Sequence, residues 1–256
     1  MHVALYDGSF EGWLTAVFEI YEYGFRNAEI HDERKYQKNI FAKEHVVVVS
    51  DQKAERVWNG LKQRLSKAAL EQINKAWFSE MNGIENVLLS YVQYAFSSKN
   101  SIESDYSFPA VLTITDLAKK VHREKHRMEA FVRFQLTKDG LYYAIVEPDF
   151  NVLTLIRSHF EARYADQRWM IYDARRKFGI YYDLHKVETV EIQFNASIDA
   201  GKAIHAIYDE QEDLYQHLWK RYFDSVNIKA RKNTKLHIQH MPQRYWKYLP
   251  EKRCEV

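Results

Sequence analysis

The hydrophobic pattern of the chain changes from helical to strand-like spacing near Phe131, and this change constrains the fold more than any other feature. Runs at 131–137 and 141–148 flank the turn signal Asp139-Gly140 and predict a hairpin. A helical stretch at 149–165 follows, and then three more strand-like runs at 168–176, 179–186 and 187–194. We therefore expect an α+β protein in which an antiparallel sheet of about five strands packs with helices.

The N-terminal part of the chain is richer in helices. Residues 2–7 and the β-branched run at 45–51 are typical of strands, and helical spacing predicts helices after residue 9 and over 53–78. This gives a short β-α-β-α start. We predict a helix-rich α/β region at 1–82 and a main α+β domain at 83–256, which contains a long helix at 196–226 and ends in an ordered basic and aromatic tail.

Composition excludes several classes of protein. The single cysteine, Cys254, rules out an internal disulfide framework and a four-cysteine zinc site. The sequence contains no uncharged apolar stretch of about 18 residues and no basic segment of the secretory type at its start, so we expect a cytoplasmic protein. Dinucleotide, Walker, iron–sulfur and nucleophile-elbow motifs are also missing from the sequence, so we expect no cofactor.

Positive charge is concentrated in two places that also carry His, Tyr or Trp. One is the run from Lys119 to Arg127, and the other is the tail at 226–256, with eight positive and two negative side chains. Such clusters suit phosphate contacts combined with base stacking, although a solvated basic surface is the alternative explanation. We predict phosphate contacts by Arg127, Arg133, Arg163, Arg176, Arg244 and Lys247, and base stacking by Tyr245 and Trp246. For Arg133, an ion pair with Asp173 or Glu147 is an equal alternative.

The basic run also contains the candidates for acid–base chemistry, Glu124 and His126. His122 and His126 have the i, i+4 spacing of a metal site, but the surrounding cations would repel a metal ion, so we expect none. The same region invites a winged-helix interpretation. Because no Gly marks a corner, one continuous helix over 113–131 is the simpler prediction.

Several long motifs resemble those of one bacterial family of DNA metabolism (DNA repair) proteins, whose shared domain is a domain of unknown function. The motifs are YDGSFEGWL, VHREKHRMEAFVRF, HFEARYADQRWMIYDARRKFGIYYD, LWKRYF, NIKARKN and MPQRYWKYLPE. The resemblance runs over nearly the whole chain and is densest from about Gly83 to Glu251. It implies a radical-SAM DNA repair partner and a domain that also occurs fused to uracil-DNA glycosylase-like domains. No catalytic residue can be carried over from the family, and those activities are expected of the partners.

Three functions remain open at this point. The first is a nucleic-acid-binding accessory protein in DNA repair, for which the helix at 119–127 and the tail at 229–253 would have to form one anion-binding cleft. The second is an enzyme that acts on a damaged or modified nucleotide through Glu124 and His126. The third is an adaptor that docks its Tyr- and Trp-rich tail on the radical-SAM partner.

Overall fold

The structure is a computed structural model that describes residues 1–138, 140–191 and 238–252. The chain forms two compact units, Met1–His122 and Arg123–Val256, and helix α5 (Pro109–Phe131) crosses the boundary between them. The sequence-based boundary at 82/83 differs from this division and stays a prediction. The helix predicted at 196–226 lies outside the described residues.

The first unit is built on a parallel sheet in the order β2-β1-β3, formed by β1 (His2–Tyr6), β2 (Ala28–Asp32) and β3 (Lys43–Val46). Helix α1 (Phe10–Glu22) connects β1 to β2, as expected for parallel neighbours. The sequence pattern misses β2 because polar residues dilute its apolar signal. The strand predicted at 45–51 ends at Val46. Its partner β1 ends at Tyr6, so the hydrogen bond from the Val47 N–H to the Leu5 carbonyl lies at the end of their pairing.

Three more helices complete the first unit: α2 (Asp51–Arg64), α3 (Lys67–Trp77) and α4 (Ile84–Ser97). The prediction of one helix over 53–78 is wrong. The backbone is extended at Leu65, and the Ser66 hydroxyl accepts a bond from the Ala69 N–H at 3.2 Å, which starts α3 as a new helix. The helices and the sheet share one core of fully buried side chains: Trp13, Ile30, Leu61, Ile73, Leu88 and Ile114.

Helix α4 covers the β2 edge of this sheet with a side-chain amide. Asn86 Oδ1 accepts a hydrogen bond from the Ile30 N–H at 2.8 Å, and Asn86 Nδ2 donates to the Ile30 carbonyl at 3.1 Å. The amide therefore imitates the backbone of a neighbouring strand. Because both groups of Ile30 are satisfied, this edge offers no further pairing at that position.

The second unit contains a five-stranded sheet in the order β4-β5-β6-β7-β8. Its strands are β4 (Gln135–Leu136), β5 (Tyr142–Val146), β6 (Trp169–Asp173), β7 (Phe178–Tyr182) and β8 (Val187–Glu191). The α+β class is confirmed. One detail needs correction: β5 and β6 are parallel, because the helix between them, α6 (Leu153–Arg163), carries the chain back to the starting edge of the sheet.

Helix α5 is continuous from Pro109 to Phe131, which contradicts the winged-helix alternative. Proline is favoured in the first turn of a helix, where its missing N–H costs nothing. The described part of the C-terminal tail forms two short 3₁₀ helices, Gln243–Tyr248 and Pro250–Lys252, in which Tyr245 and Leu249 are buried. Within the described ranges, no helix combines the length and the apolarity needed to cross a membrane.

Candidate functional site

The parallel pair β5 and β6 brings two loops to the same edge of the sheet in the second unit. The register pairs Val146 with Asp173, so the residues that follow each strand emerge side by side. Side chains of α5 and of the C-terminal 3₁₀ helix reach the same loops. We call the residues that meet there, Glu124, Asp149, Arg175, Arg176 and Arg244, the Asp149 cluster. Ligand sites of α/β sheets commonly lie at this edge.

Glu124 is the buried carboxylate of the cluster, with 1% of its side chain exposed. Its Oε1 accepts bonds from the Asp149 N–H at 2.9 Å and from the Tyr245 hydroxyl at 2.5 Å. Its Oε2 lies 3.0 Å from Nη2 of Arg244 and 3.6 Å from Nη1 of Arg127. Both oxygens are thus occupied, and the side chain ties the C-terminal segment to α5.

Arg244 is held by two carboxylates through one of its nitrogens. Nη2 lies 3.0 Å from Glu124 Oε2, 2.8 Å from Asp149 Oδ2 and 2.6 Å from the Tyr245 hydroxyl, and the guanidinium lies 4.5 Å from the centre of the Tyr245 ring. The side chain is nevertheless 38% exposed. Because buried partners fix its position, Arg244 presents the rest of its guanidinium to solvent in a defined orientation.

Tyr245 is buried beneath this guanidinium. Burial raises the pKa of its phenol, and the neighbouring Glu124 carboxylate adds to the rise. The phenol therefore stays protonated and donates to Glu124 across the pH range in which proteins are handled.

Asp173 and Arg176 join the ends of β6 and β5. Asp173 is fully buried and accepts bonds from the backbone N–H groups of Arg175 and Arg176 and from Arg176 Nη1 at 3.0 Å. Burial raises the pKa of the Asp173 carboxyl, although Arg176 opposes the rise. Arg176 also donates to the carbonyls of Pro148 and Asp149 at 3.1 Å each. The phosphate contact predicted for Arg176 therefore competes with these internal partners.

A second set of contacts fastens the tail beside the cluster. Glu147 accepts bonds from Lys247 and from the Tyr248 hydroxyl, the latter at 2.6 Å. The hydrogen bond from Lys247, and to a smaller extent the bond from Tyr248, hold the pKa of the Glu147 carboxyl below its ordinary value. Lys247 remains mostly exposed despite this pairing.

The structure brings together six of the residues predicted from the sequence, and they come from three separate parts of the chain: α5, the turn after β6 and the C-terminal 3₁₀ helix. Arg127, Arg244 and Tyr245 all contact Glu124, Arg176 and Arg244 both contact Asp149, and Lys247 joins the adjacent Glu147. Their convergence agrees with the expectation that the helix and the tail meet. Most of their cationic groups, however, face carboxylates of the protein itself.

Four predicted residues have other surroundings. Arg133 Nη1 donates to the carbonyls of Ala130 and Val132, and Trp246 is half-buried and donates to the Met241 carbonyl. Arg163 is exposed, with its guanidinium 5.8 Å from the centre of the Tyr164 ring. His126 is exposed, and its Nδ1 lies 3.2 Å from Glu129.

The predicted acid–base pair does not share a face of its helix. Glu124 and His126 are two residues apart, which separates them by about 200° around α5. Glu124 points into the cluster, whereas His126 faces Glu129. Their joint catalytic role stays a prediction. Over the described part of the chain, no group of three His, Cys, Asp or Glu side chains has the arrangement of a metal site.

Sequence reasoning did not single out Asp149 and Arg175 as parts of one site with Arg244. The missing signal was the parallel pairing of β5 and β6, which makes the residues after both strands neighbours. A second signal was available for Glu124. It falls on the apolar stripe of α5 with Val121 and Met128, and a carboxylate on such a stripe needs a buried partner.

Comparisons with known proteins give one family and little else. The sequence model of a domain of unknown function, DUF4130, matches residues 82–251. No curated protein matches the chain. A solved structure of the pGpG-specific phosphodiesterase PggH from Vibrio cholerae is similar at 9% sequence identity and a TM-score of 0.32, over 88% of this chain and 99% of that one.

A structural likeness at this TM-score carries no argument about fold or function. The family match is different, because it spans more than half of the chain and includes all of the Asp149 cluster. The protein therefore belongs to the DUF4130 family, a family defined by a domain of unknown function.

Proposed function

We propose that the second unit binds phosphate groups of a nucleic acid at the Asp149 cluster, with Arg244 and Arg175 as the principal contacts. Arg244 carries the proposal. Its Nη2 is fixed by Glu124 and Asp149, while its Nε and Nη1 make no hydrogen bond with any described residue. A guanidinium held in place with part of its fork of donors open suits the oxygens of a phosphate.

Arg175 supplies a second cation, close to the backbone carbonyl of Asp149. It is exposed, and its Nη1 lies 3.4 Å from the Asp149 carbonyl, at the long limit of a hydrogen bond. Its Nε and Nη2 have no hydrogen-bond partner among the described residues. Two guanidinium groups therefore contact Asp149, Arg244 at its half-exposed carboxylate and Arg175 at its backbone carbonyl. A phosphate oxygen would replace the carboxylate beside Arg244.

The proposal relies on cations rather than on aromatic stacking. Tyr245 is buried and its hydroxyl is bonded to Glu124, so in this conformation its ring offers no surface to a base. Backbone contacts by cations bind with little dependence on base sequence and weaken as salt increases.

Fluorescence anisotropy with labelled single-stranded and duplex DNA tests the proposal. We expect Arg244→Gln and Arg175→Gln each to weaken binding by about tenfold and to reduce the salt slope by about one. Asp149→Asn should strengthen binding, because it removes the competing carboxylate.

Lys186→Gln is the matched control, since it removes the same charge from the turn after β7. The register pairs Tyr182 with Trp169, so this turn lies at the opposite edge of the sheet from Arg175. Absence of binding at low salt, or an equal loss in the control, would contradict the assignment of the site.

A second, more specific proposal concerns the process, the polymer and the partner protein. The family resemblance supports DNA repair as the process, DNA as the polymer and a radical-SAM DNA repair protein as the partner. Co-expression of the two proteins followed by affinity purification tests the partnership. If they fail to co-purify with or without DNA, the partner is withdrawn, while the phosphate-binding site is still judged by the anisotropy measurements.

A further inference from the structure

Strand β3 forms an edge of the parallel sheet in the first unit, and its outer backbone groups are open. The N–H groups of Lys43 and Val47 donate to the carbonyls of Met1 and Leu5. Along the strand, the backbone groups of successive residues therefore point alternately toward β1 and away from it. The N–H and C=O groups of Glu44 and Val46 consequently point away from β1. No described residue accepts from, or donates to, these outward groups.

Apolar side chains are exposed on both sides of this edge. Phe41 is 84% exposed and Val48 is 79% exposed, and Ile40, Val46 and Val49 are exposed as well. Five exposed apolar residues within ten positions concentrate apolar surface on one short segment, and such a concentration often marks an interaction site. An exposed strand edge with apolar flanks is a template for pairing with another strand.

The opposite edge of the same sheet shows how this chain protects a strand that must not pair. There Asn86 satisfies both backbone groups of Ile30. At β3 the described residues supply no comparable cover. The difference between the two edges points to a binding role for β3.

We propose that β3 pairs with β3 of a second copy of this chain, antiparallel about a two-fold axis at His45. Directly opposed residues in an antiparallel pair must both point outward or both inward. An axis at Glu44 would set two carboxylates face to face, which is destabilising. An axis at Val46 would place Glu44 of one copy opposite Val48 of the other, and Val48 lies beyond the end of the strand.

The axis at His45 uses only residues that are already extended. Glu44 of each copy lies opposite Val46 of the other, which gives four backbone hydrogen bonds across the axis. The residues that flank the strand lie outside the pairing, and an antiparallel pair brings Phe41 of one copy to the same end as Val48 and Val49 of the other. The charged pair Lys43-Glu44 thus faces apolar residues instead of its own copy.

The area of the segment is consistent with a dimer. A fully buried aromatic side chain removes roughly 150–250 Å² of surface from solvent. One Phe and four smaller, partly exposed aliphatic side chains together expose on the order of 600 Å². A stable interface buries about 800 Å² on each partner. The segment therefore reaches this size only if the paired backbone and the side chains of Lys43 and Glu44 are buried as well.

Sedimentation velocity of the full chain over a range of concentrations tests the pairing, and we expect a dimer. In Val46→Glu, the new carboxylate of each copy lies opposite Glu44 of the other, which makes two pairs of like charge. We expect the dimer dissociation constant to rise by at least about tenfold. Val46→Lys places an ammonium opposite Glu44 and should preserve the dimer. Since both variants introduce a charge at one exposed position, Val46→Lys also controls for folding.

Leu112→Glu adds a charge at a different exposed apolar residue of the first unit and should leave the dimer intact. A monomer at every concentration would overturn the proposal. So would a dimer that Val46→Glu leaves unchanged, because its interface would then lie elsewhere. If both Val46 variants dissociate the dimer equally, apolar contact without strand pairing is the explanation, and the proposed register is wrong.

Discussion

Replacement of Tyr245 by Phe tests how much the buried carboxylate at the centre of the second unit depends on one hydroxyl. The change removes the 2.5 Å bond to Glu124 and leaves the shape of the ring. A hydrogen bond to a charged acceptor contributes about 1.5–3 kcal/mol. Because Glu124 keeps Arg244 and the Asp149 N–H as partners, we take about 2 kcal/mol as the cost.

The measurement is hydrogen exchange of peptides that cover residues 243–249, which the hydroxyl helps to fasten. A loss of about 2 kcal/mol in local opening free energy speeds exchange about 30-fold. Tyr181→Phe is the control, since the structure gives its half-buried hydroxyl no hydrogen bond to a described residue. Equal exchange in the wild type and in Tyr245→Phe would refute the view that Glu124 anchors the tail.

Two further predictions concern the carboxylates at the ends of β5 and β6. Arg176→Ala leaves the fully buried Asp173 without its guanidinium partner and should lower the free energy of unfolding by about 3 kcal/mol in urea titrations. The control is Arg175→Ala at an exposed residue, which should change the free energy of unfolding by less than about 0.5 kcal/mol. Equal effects of the two variants would contradict the pairing of Arg176 with Asp173. The pKa of Glu147 is lower when folded, so its contact with Lys247 stabilises above the ordinary carboxyl pKa and is lost as pH falls through the folded value. The difference in urea midpoint between the wild type and Glu147→Gln should therefore shrink from about pH 6 to about pH 3, and a constant difference would argue against this linkage.

Local signals in the sequence predict most of the helices and strands in the described part of the second unit. The unbroken helical spacing before Phe131 predicts one helix, and α5 is one helix. The five strand-like runs predict the five strands. Their relative direction is a different matter, because α6 has only 11 residues and its spacing does not reveal whether the chain returns to the same edge or turns back. The parallel pair depends on tertiary packing, which a single sequence does not encode in its local pattern.

The candidate site shows a similar division. Residue type identifies Arg244 and Glu124 as candidates, and the charge distribution suggests that the tail meets the helix. The contact itself joins residues separated by 120 positions, and no spacing rule predicts such a pair. The sequence also fails to distinguish a cation that is open to solvent from one such as Arg176, whose donors are already bonded within the protein.

The amide of Asn86 on Ile30 has a consequence for assembly. A sheet that can add strands at both margins can extend without limit, as fibrils do. Here a side chain of the same subunit occupies the backbone groups of Ile30 at one margin, so union through β3 uses the other margin of this three-stranded sheet. Growth of this sheet by strand addition would then stop at two subunits, because a two-fold pair is a closed arrangement.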